Sequence, residues 1–348
     1  MEILIGFVLV ILAGLGTGTA AWPLKKIKDF HFEQYLFVFA FTGLFLFPWI
    51  IVLLYVPDLV SVITGVGLKP LLISNILSIS WGVANVLYIV CVMKIGAALT
   101  GAVLSALGMS VGMIMPMLLK GSGLFRHAPD LMSKPGILIS IGILIIIAGI
   151  ILVSISGFER EKVINARNKL VITGQPSGSF LNGLVLVVLA GVLSCGLSLA
   201  FVYSQGPVIE AVRLQGAGEV TANITVWALG IFGGALVNIF YAVYLMAKKG
   251  TWNLLFSRKD ELLYGSLIGL QFFISIVLMG RGMVFLGVLG ASVGFGIQQS
   301  MQVVGNQLVG FVGGEWKGVV GKPRRLMYIG LGIILIAVIV FSYSNTIT

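Results

Sequence analysis

The sequence predicts an all-α integral membrane fold of about ten transmembrane helices, arranged as two inverted five-helix repeats. Three observations predict it. Hydrophobic residues make up 58% of the chain and charged ones 10%, with mean hydropathy +1.10, whereas soluble chains carry about 25% charged residues. Window hydrophobicity divides the chain into apolar stretches of roughly 20 residues, each able to cross a hydrocarbon core as a helix. Shifting the chain by 186 residues lays part of its first half on its second.

The apolar stretches fall near 3–22, 34–55, 71–93, 97–119, 136–155, 180–203, 221–247, 262–280, 283–311 and 326–344. The first is not a cleaved signal peptide: it has no basic n-region, it outruns an h-region, and Trp22-Pro23-Leu24-Lys25-Lys26-Ile27-Lys28 follows it as a stop-transfer flank. No soluble domain fits between stretches. The long polar segment Gly157 to Gly178 separates a first repeat, 1–156, from a second, 180–348, with a cytoplasmic connector over 157–179. Lys and Arg number sixteen in the loops after odd-numbered stretches and six in the others. The first set is therefore expected in the cytoplasm and both termini outside. The formal charge of +10 is then topology signal beside anionic lipid and implies no nucleic-acid partner. Cys91 and Cys195 lie inside apolar stretches, and His31 and His127 in separate polar loops, so no metal spacing or Cys/His pair is legible.

The 186-residue shift lays Gly101, Ser105, Gly108 and Ser110 on Gly287, Ala291, Gly294 and Gly296, and Asn85 on Gln271. Five stretches per copy is an odd number, so the second copy enters the membrane upside down. That plan places a solute site near the midplane between halves.

Two polar constellations stand out. In the third stretch Trp81, Asn85 and Tyr88 are spaced i, i+4, i+7 and share one helix face. Hydrocarbon cannot satisfy their polar groups. They suit a polyhydroxyl solute, with rings stacking on a sugar face and the amide bonding hydroxyls; alternatively, Asn85 joins two helices and the rings fill space. The ninth stretch holds Gln298, Gln302 and Asn306 at i, i+4, i+8, with Gln299 and Gln307 beside them. Uncharged amides that donate and accept fit a neutral, hydroxyl-bearing solute, or form an interhelical ladder. Gln271, by its correspondence with Asn85, joins the candidate substrate-binding set. The small-residue stripe Gly101, Ser105, Gly108 and Gly112 is assigned to packing.

No acid lies at the centre of a stretch. Glu210, flanked by Pro207-Val208-Ile209 and Ala211-Val212, is the proton-coupling candidate by elimination, or else pairs with Arg213 at i+3. The basic run Lys25-Lys26-Ile27-Lys28 anchors the first helix or forms a gate with Glu33 or Glu315. Arg281, between Gly280 and Gly282, is expected to snorkel to the outer interface.

Pro23-Leu24-Lys25-Lys26-Ile27-Lys28 followed by Glu33, then Trp81-Gly82, Asn85, Tyr88 and Lys94-Ile95-Gly96, with Pro207 to Glu210 and Glu315-Trp316, resembles the L-rhamnose:proton symporter family of the drug/metabolite transporter superfamily. The resemblance runs nearly the whole length. It implies proton-coupled uptake of a neutral sugar by alternating access in a bacterial inner membrane, with no nucleotide, metal or other cofactor. No Gly-x-x-x-x-Gly-Lys-Ser/Thr loop is present, in keeping with drive by an ion gradient. The alternative is an exporter of metabolites or amphipathic compounds from the same superfamily. A sensor or assembly factor fits the duplication poorly, and a membrane enzyme lacks a converging nucleophile, base and acid.

Overall fold

A computed structural model describes residues 2–20, 22–95, 97–120, 128–168, 180–287 and 290–347. Gly96, His127 and residues 169–179 of the expected connector lie outside the described residues. Among the described residues there is no strand. The helices are α1 (Glu2–Thr19), α2 (Phe32–Phe39), α3 (Phe47–Tyr55), α4 (Leu59–Val66), α5 (Leu68–Ile95), α6 (Ala97–Leu118), α7 (Lys134–Asn168) and α8 (Phe180–Ser194). They continue with α9 (Gly196–Leu214), α10 (Glu219–Gly230), α11 (Phe232–Lys249), α12 (Trp252–Ser257), α13 (Lys259–Phe285), α14 (Phe295–Val312) and α15 (Lys322–Ser344). A π-helical turn, Ala40–Leu46, joins α2 to α3, and another, Gly290–Gly294, leads into α14.

Among the described residues, seven helical segments are long and apolar enough to cross a membrane, or eight if α10 and α11, bent by 53° at their junction, make one span. That is fewer than the ten stretches of the sequence reading. The amides of α14 dilute its hydropathy. Two boundaries also move. The helix of the fifth stretch runs on to Asn168, so the start of the expected connector continues α7. Gly280-Arg281-Gly282, read as a loop, is helical within α13.

Small residues set the packing, because lipid gives helices no hydrophobic reason to associate and close backbone approach supplies the dispersion contacts instead. α1 lies between α13 and α14: a Cβ on Gly6 would stand 3.1 Å from the Gly282 carbonyl, and one on Gly14 or Gly18 would overlap the carbonyls of Gln298 and Gln302. α5 lies between α8–α9 and α11, with Gly82 against Gly234. α6 packs on α8, the π turn at Gly43 on Gly269 of α13, and α7 on α15.

The α10–α11 break is held from outside. In an unbroken helix the amide of Gly233 would donate to the carbonyl of Leu229. Here Gly233 N donates to Asn75 Oδ1 (2.7 Å), while Asn75 Nδ2 donates to the Leu229 carbonyl (2.9 Å). One side-chain amide of α5 thus splices the missing bond, a recognised cause of sharp kinks. Ser78 Oγ accepts from Gly234 N beside it (3.0 Å).

At the lysine-rich end, the Glu261 carboxylate accepts the backbone amides of Lys28, Asp29 and Phe30. Glu33, fully buried, accepts from Lys249 Nζ (2.9 Å) and Thr251 Oγ1 (3.1 Å). Glu33 therefore pairs with Lys249 of α11, and Glu315 bonds Arg160 (2.8 Å).

Candidate functional site

The approach of Gly82 to Gly234 brings the Trp81, Asn85 and Tyr88 face of α5 inward, and the seating of α1 on α14 does the same for Gln298 and Gln302. These five side chains line one cavity of ≈ 360 Å³. α2 adds Phe32, Tyr35 and Phe39, and α13 adds Phe272, Ile276 and Met279. Phe39 and Phe272 meet edge to face with centroids 5.1 Å apart, so part of the lining is aromatic. Thr17, Phe32 and Tyr88 lie near the lysine-rich ends of their helices, so the cavity reaches from mid-helix toward the expected cytoplasmic face. No Asp or Glu among the described residues lines it.

The amides are held by neighbouring side chains and backbone carbonyls. Thr17 Oγ1 donates to the carbonyls of Ala13 (3.1 Å) and Gly14 (3.0 Å) and accepts from Gln298 Nε2 (2.9 Å). Gln298 Nε2 also donates to Gln302 Oε1 (3.4 Å). On the opposite side Asn85 Nδ2 donates to Asn238 Oδ1 (3.3 Å), and Asn238 Nδ2 donates to the Gly234 carbonyl (2.8 Å).

The remaining sequence candidates lie elsewhere. Gln271 is outside the cavity lining: its Nε2 donates to the Gly16 carbonyl (3.0 Å) and Thr19 Oγ1 (2.9 Å), and its Oε1 accepts from Trp22 Nε1 (3.1 Å), tying α13 to the end of α1. Asn306 lines an adjoining void of ≈ 20 Å³ with Gln299 and Gln302, room for about one water molecule. Glu210 is exposed in a separate cleft of ≈ 680 Å³ between α9 and the end of α13. Arg213 does not pair with it; Arg213 bonds Glu219 at 2.5 and 2.8 Å, and Arg281 joins the same carboxylate at 3.3 Å. Arg281 is thus held in an ion-pair cluster linking α9, α10 and α13.

Several site residues escaped the sequence reading. Ser105, assigned to packing, lines the cavity, as does Thr17. Asn238, fully buried, stands alone in Ala235-Leu236-Val237-Asn238-Ile239; the rule that flagged Asn85, a polar group inside an apolar stretch, applies to it equally.

A model of the family "L-rhamnose-proton symport protein (RhaT)" matches residues 1–345. The chain belongs to this family. It is a family of symporters, not of enzymes, and with the long apolar helices it makes the chain a multi-pass membrane protein. Similar curated proteins include the L-rhamnose-proton symporter of Mannheimia succiniciproducens, 24% identical over 325 residues (90% of each chain). Those of Pectobacterium atrosepticum (24% over 340 residues, 93% of each) and Citrobacter koseri (23% over 333 residues, 93% of each) carry the same name. The match takes in every element that lines the cavity.

Proposed function

We propose that this protein imports a neutral monosaccharide, L-rhamnose or a close relative, by proton symport through alternating access across a bacterial inner membrane. One observation carries the reading: two amide- and ring-bearing stretches more than 200 residues apart, Trp81-Asn85-Tyr88 and Gln298-Gln302, line a single uncharged cavity of ≈ 360 Å³. Ligand sites span about 300–1,000 Å³, and the lower end suits a monosaccharide better than a bulky amphipathic drug. Trp81 and Tyr88 supply ring faces; Asn85, Gln298 and Gln302 supply hydrogen bonds, with Gln271 and Asn306 supporting them from behind.

The ten-helix inverted repeat belongs to this proposal and draws support from matched contacts. α1 packs on α13 and α14, as α8 packs on α5 and α6; the α2–π–α3 unit meets α13, as α10–α11 meets α5; α7 meets α15. Each pair joins an element of 1–156 to one of 180–348. On the lysine count both termini lie outside, the cavity faces the cytoplasm, and the Arg213–Glu219–Arg281 cluster closes the outer end. Glu210, exposed in the cleft at that end, is the group assigned to proton coupling.

The test is uptake of labelled L-rhamnose into proteoliposomes with and without an imposed pH gradient. Accumulation that collapses with the gradient supports the proposal. Saturable uptake indifferent to the gradient removes proton coupling. Thermal stabilisation by amphipathic cations but by no neutral sugar would replace the importer with an exporter.

A further inference from the structure

We infer that Thr17 and Asn238 set the orientation of two cavity amides, so that Asn85 Oδ1 and Gln298 Oε1 face the solute as acceptors and Gln302 Nε2 faces it as a donor. The inference rests on the sugar-transport reading and specifies which hydroxyl chemistry that site accepts.

The argument is one of elimination along two chains. A backbone carbonyl can only accept. Asn238 touches the Gly234 carbonyl at 2.8 Å, so the atom there is its nitrogen and its oxygen faces Asn85. Asn85 must meet that oxygen with its own nitrogen, which leaves Asn85 Oδ1 and one N–H for the cavity. The assignment follows from chemistry at a fixed carbonyl, independently of how an amide is oriented in coordinates.

The second chain starts at the carbonyls of Ala13 and Gly14. The Thr17 hydroxyl lies within bonding distance of both, and with its single proton on either carbonyl Thr17 Oγ1 accepts from Gln298. The Gln298 nitrogen has two protons, and both are engaged, by Thr17 and by Gln302 Oε1. Among the described residues Gln298 Oε1 takes no hydrogen bond, and neither does Gln302 Nε2 give one. The cavity therefore meets an acceptor at Gln298 and a donor at Gln302.

This pattern specifies the ligand class. Two hydroxyls of the solute must donate, one to Asn85 and one to Gln298, while another oxygen accepts from Gln302. A carboxylate or phosphate of similar size has no proton to give to the Asn85 and Gln298 oxygens, so these two positions disfavour an anion without any negative side chain among the described lining residues. Neither Thr17 nor Asn238 need touch the solute for this; each acts through the amide it orients.

The test uses purified protein in detergent and a panel of L-rhamnose analogues, each with one hydroxyl replaced by fluorine, which cannot donate. In the wild type, two positions of the panel lose about tenfold or more in affinity, the size expected when a buried acceptor is left without its donor. Thr17→Val frees the Gln298 amide to turn, and one of the two discrimination ratios falls to about twofold; Asn238→Leu does the same for the other. Thr17→Ser, which keeps the hydroxyl, restores the wild-type ratio, a response that loss of packing alone would not give. Sugar binding by the wild type that tolerates every fluorine replacement overturns the inference and leaves the transport reading standing. Unchanged ratios in Thr17→Val also overturn it, whatever Asn238→Leu does to folding. Failure of the wild type to bind any neutral sugar overturns both.

Discussion

Replacing Asn75 by Leu isolates the energetics of the broken span. The two side chains share the same number of heavy atoms and the same branching, so the change is chiefly one of hydrogen-bonding capacity. Two bonds are lost across the break, Gly233 N to Asn75 Oδ1 and Asn75 Nδ2 to the Leu229 carbonyl. A buried backbone group left unsatisfied costs about 1–3 kcal/mol, so two bound the loss at about 2–6 kcal/mol. Interhelical bonds between side chains in membranes average only about 0.6 kcal/mol, because the unfolded state finds partners for them. Here the orphans are backbone groups, and the partner open to each is the other. That requires straightening the 53° bend and pulling Gly234 off Ser78. The lower half of the range, about 2–4 kcal/mol, is therefore expected. The assay is reversible denaturant unfolding of the detergent-solubilised protein, with far-ultraviolet circular dichroism to check helix content. A loss below about 0.5 kcal/mol would refute the splice as a structural bond.

Other substitutions separate site from scaffold. Asn85→Ala or Gln302→Ala abolishes sugar binding in a thermal-shift titration while the protein stays monodisperse; wild-type affinity in both would remove the site assignment. Glu210→Gln abolishes pH-gradient-driven uptake but keeps counterflow exchange, and intact accumulation would place coupling elsewhere. Gly18→Leu drives a side chain into the Gln302 carbonyl; overpacking costs about 1–3 kcal/mol where side chains can yield, and backbone yields less, so a marked fall in melting temperature is expected. Glu219→Gln changes stability by less than about 1 kcal/mol, since its carboxylate is 43% exposed and solvent screens the pair; a larger loss would mean that the cluster ties α9, α10 and α13 together.

What was legible in the sequence was polarity inside apolar stretches. Trp81, Asn85, Tyr88, Gln298 and Gln302 betray themselves because hydrocarbon gives their polar atoms no partner, and all five reach one cavity. Gln271 is singled out by its correspondence with Asn85, and its partners are the Gly16 carbonyl, Thr19 and Trp22; an internal repeat cannot reveal that a neighbouring helix already offers a carbonyl and a hydroxyl. Gly280-Arg281-Gly282 resembles a turn by composition. It stays helical because Gly282 is a contact point for α1 and Arg281 finds Glu219. The α10–α11 break is written partly in another helix, so no local signal at Gly230 could disclose it.

The polar contacts between α5 and α11 run along one seam. Asn75 and Ser78 hold the amides of Gly233 and Gly234 at the break; one turn of α11 further on, Asn238 holds Asn85. Gly234 belongs to both sets, since its amide bonds Ser78 and its carbonyl fixes Asn238. Trp81 lies between them, its ring 3.1 Å from where a Gly234 Cβ would be. A rigid-body movement of α11 against α5 must therefore break the cap on the kink and release the Asn85 amide together. A solute bonded to Asn85 in its held orientation adds to the same seam and opposes that movement, whereas one that leaves Asn85 unengaged does not. Solute binding and the bend of the broken span are thus coupled in free energy. The coupling predicts that Asn75→Leu, though it touches no cavity atom, weakens sugar affinity as well as stability. An affinity equal to wild type in that variant would show the two ends of the seam to be independent.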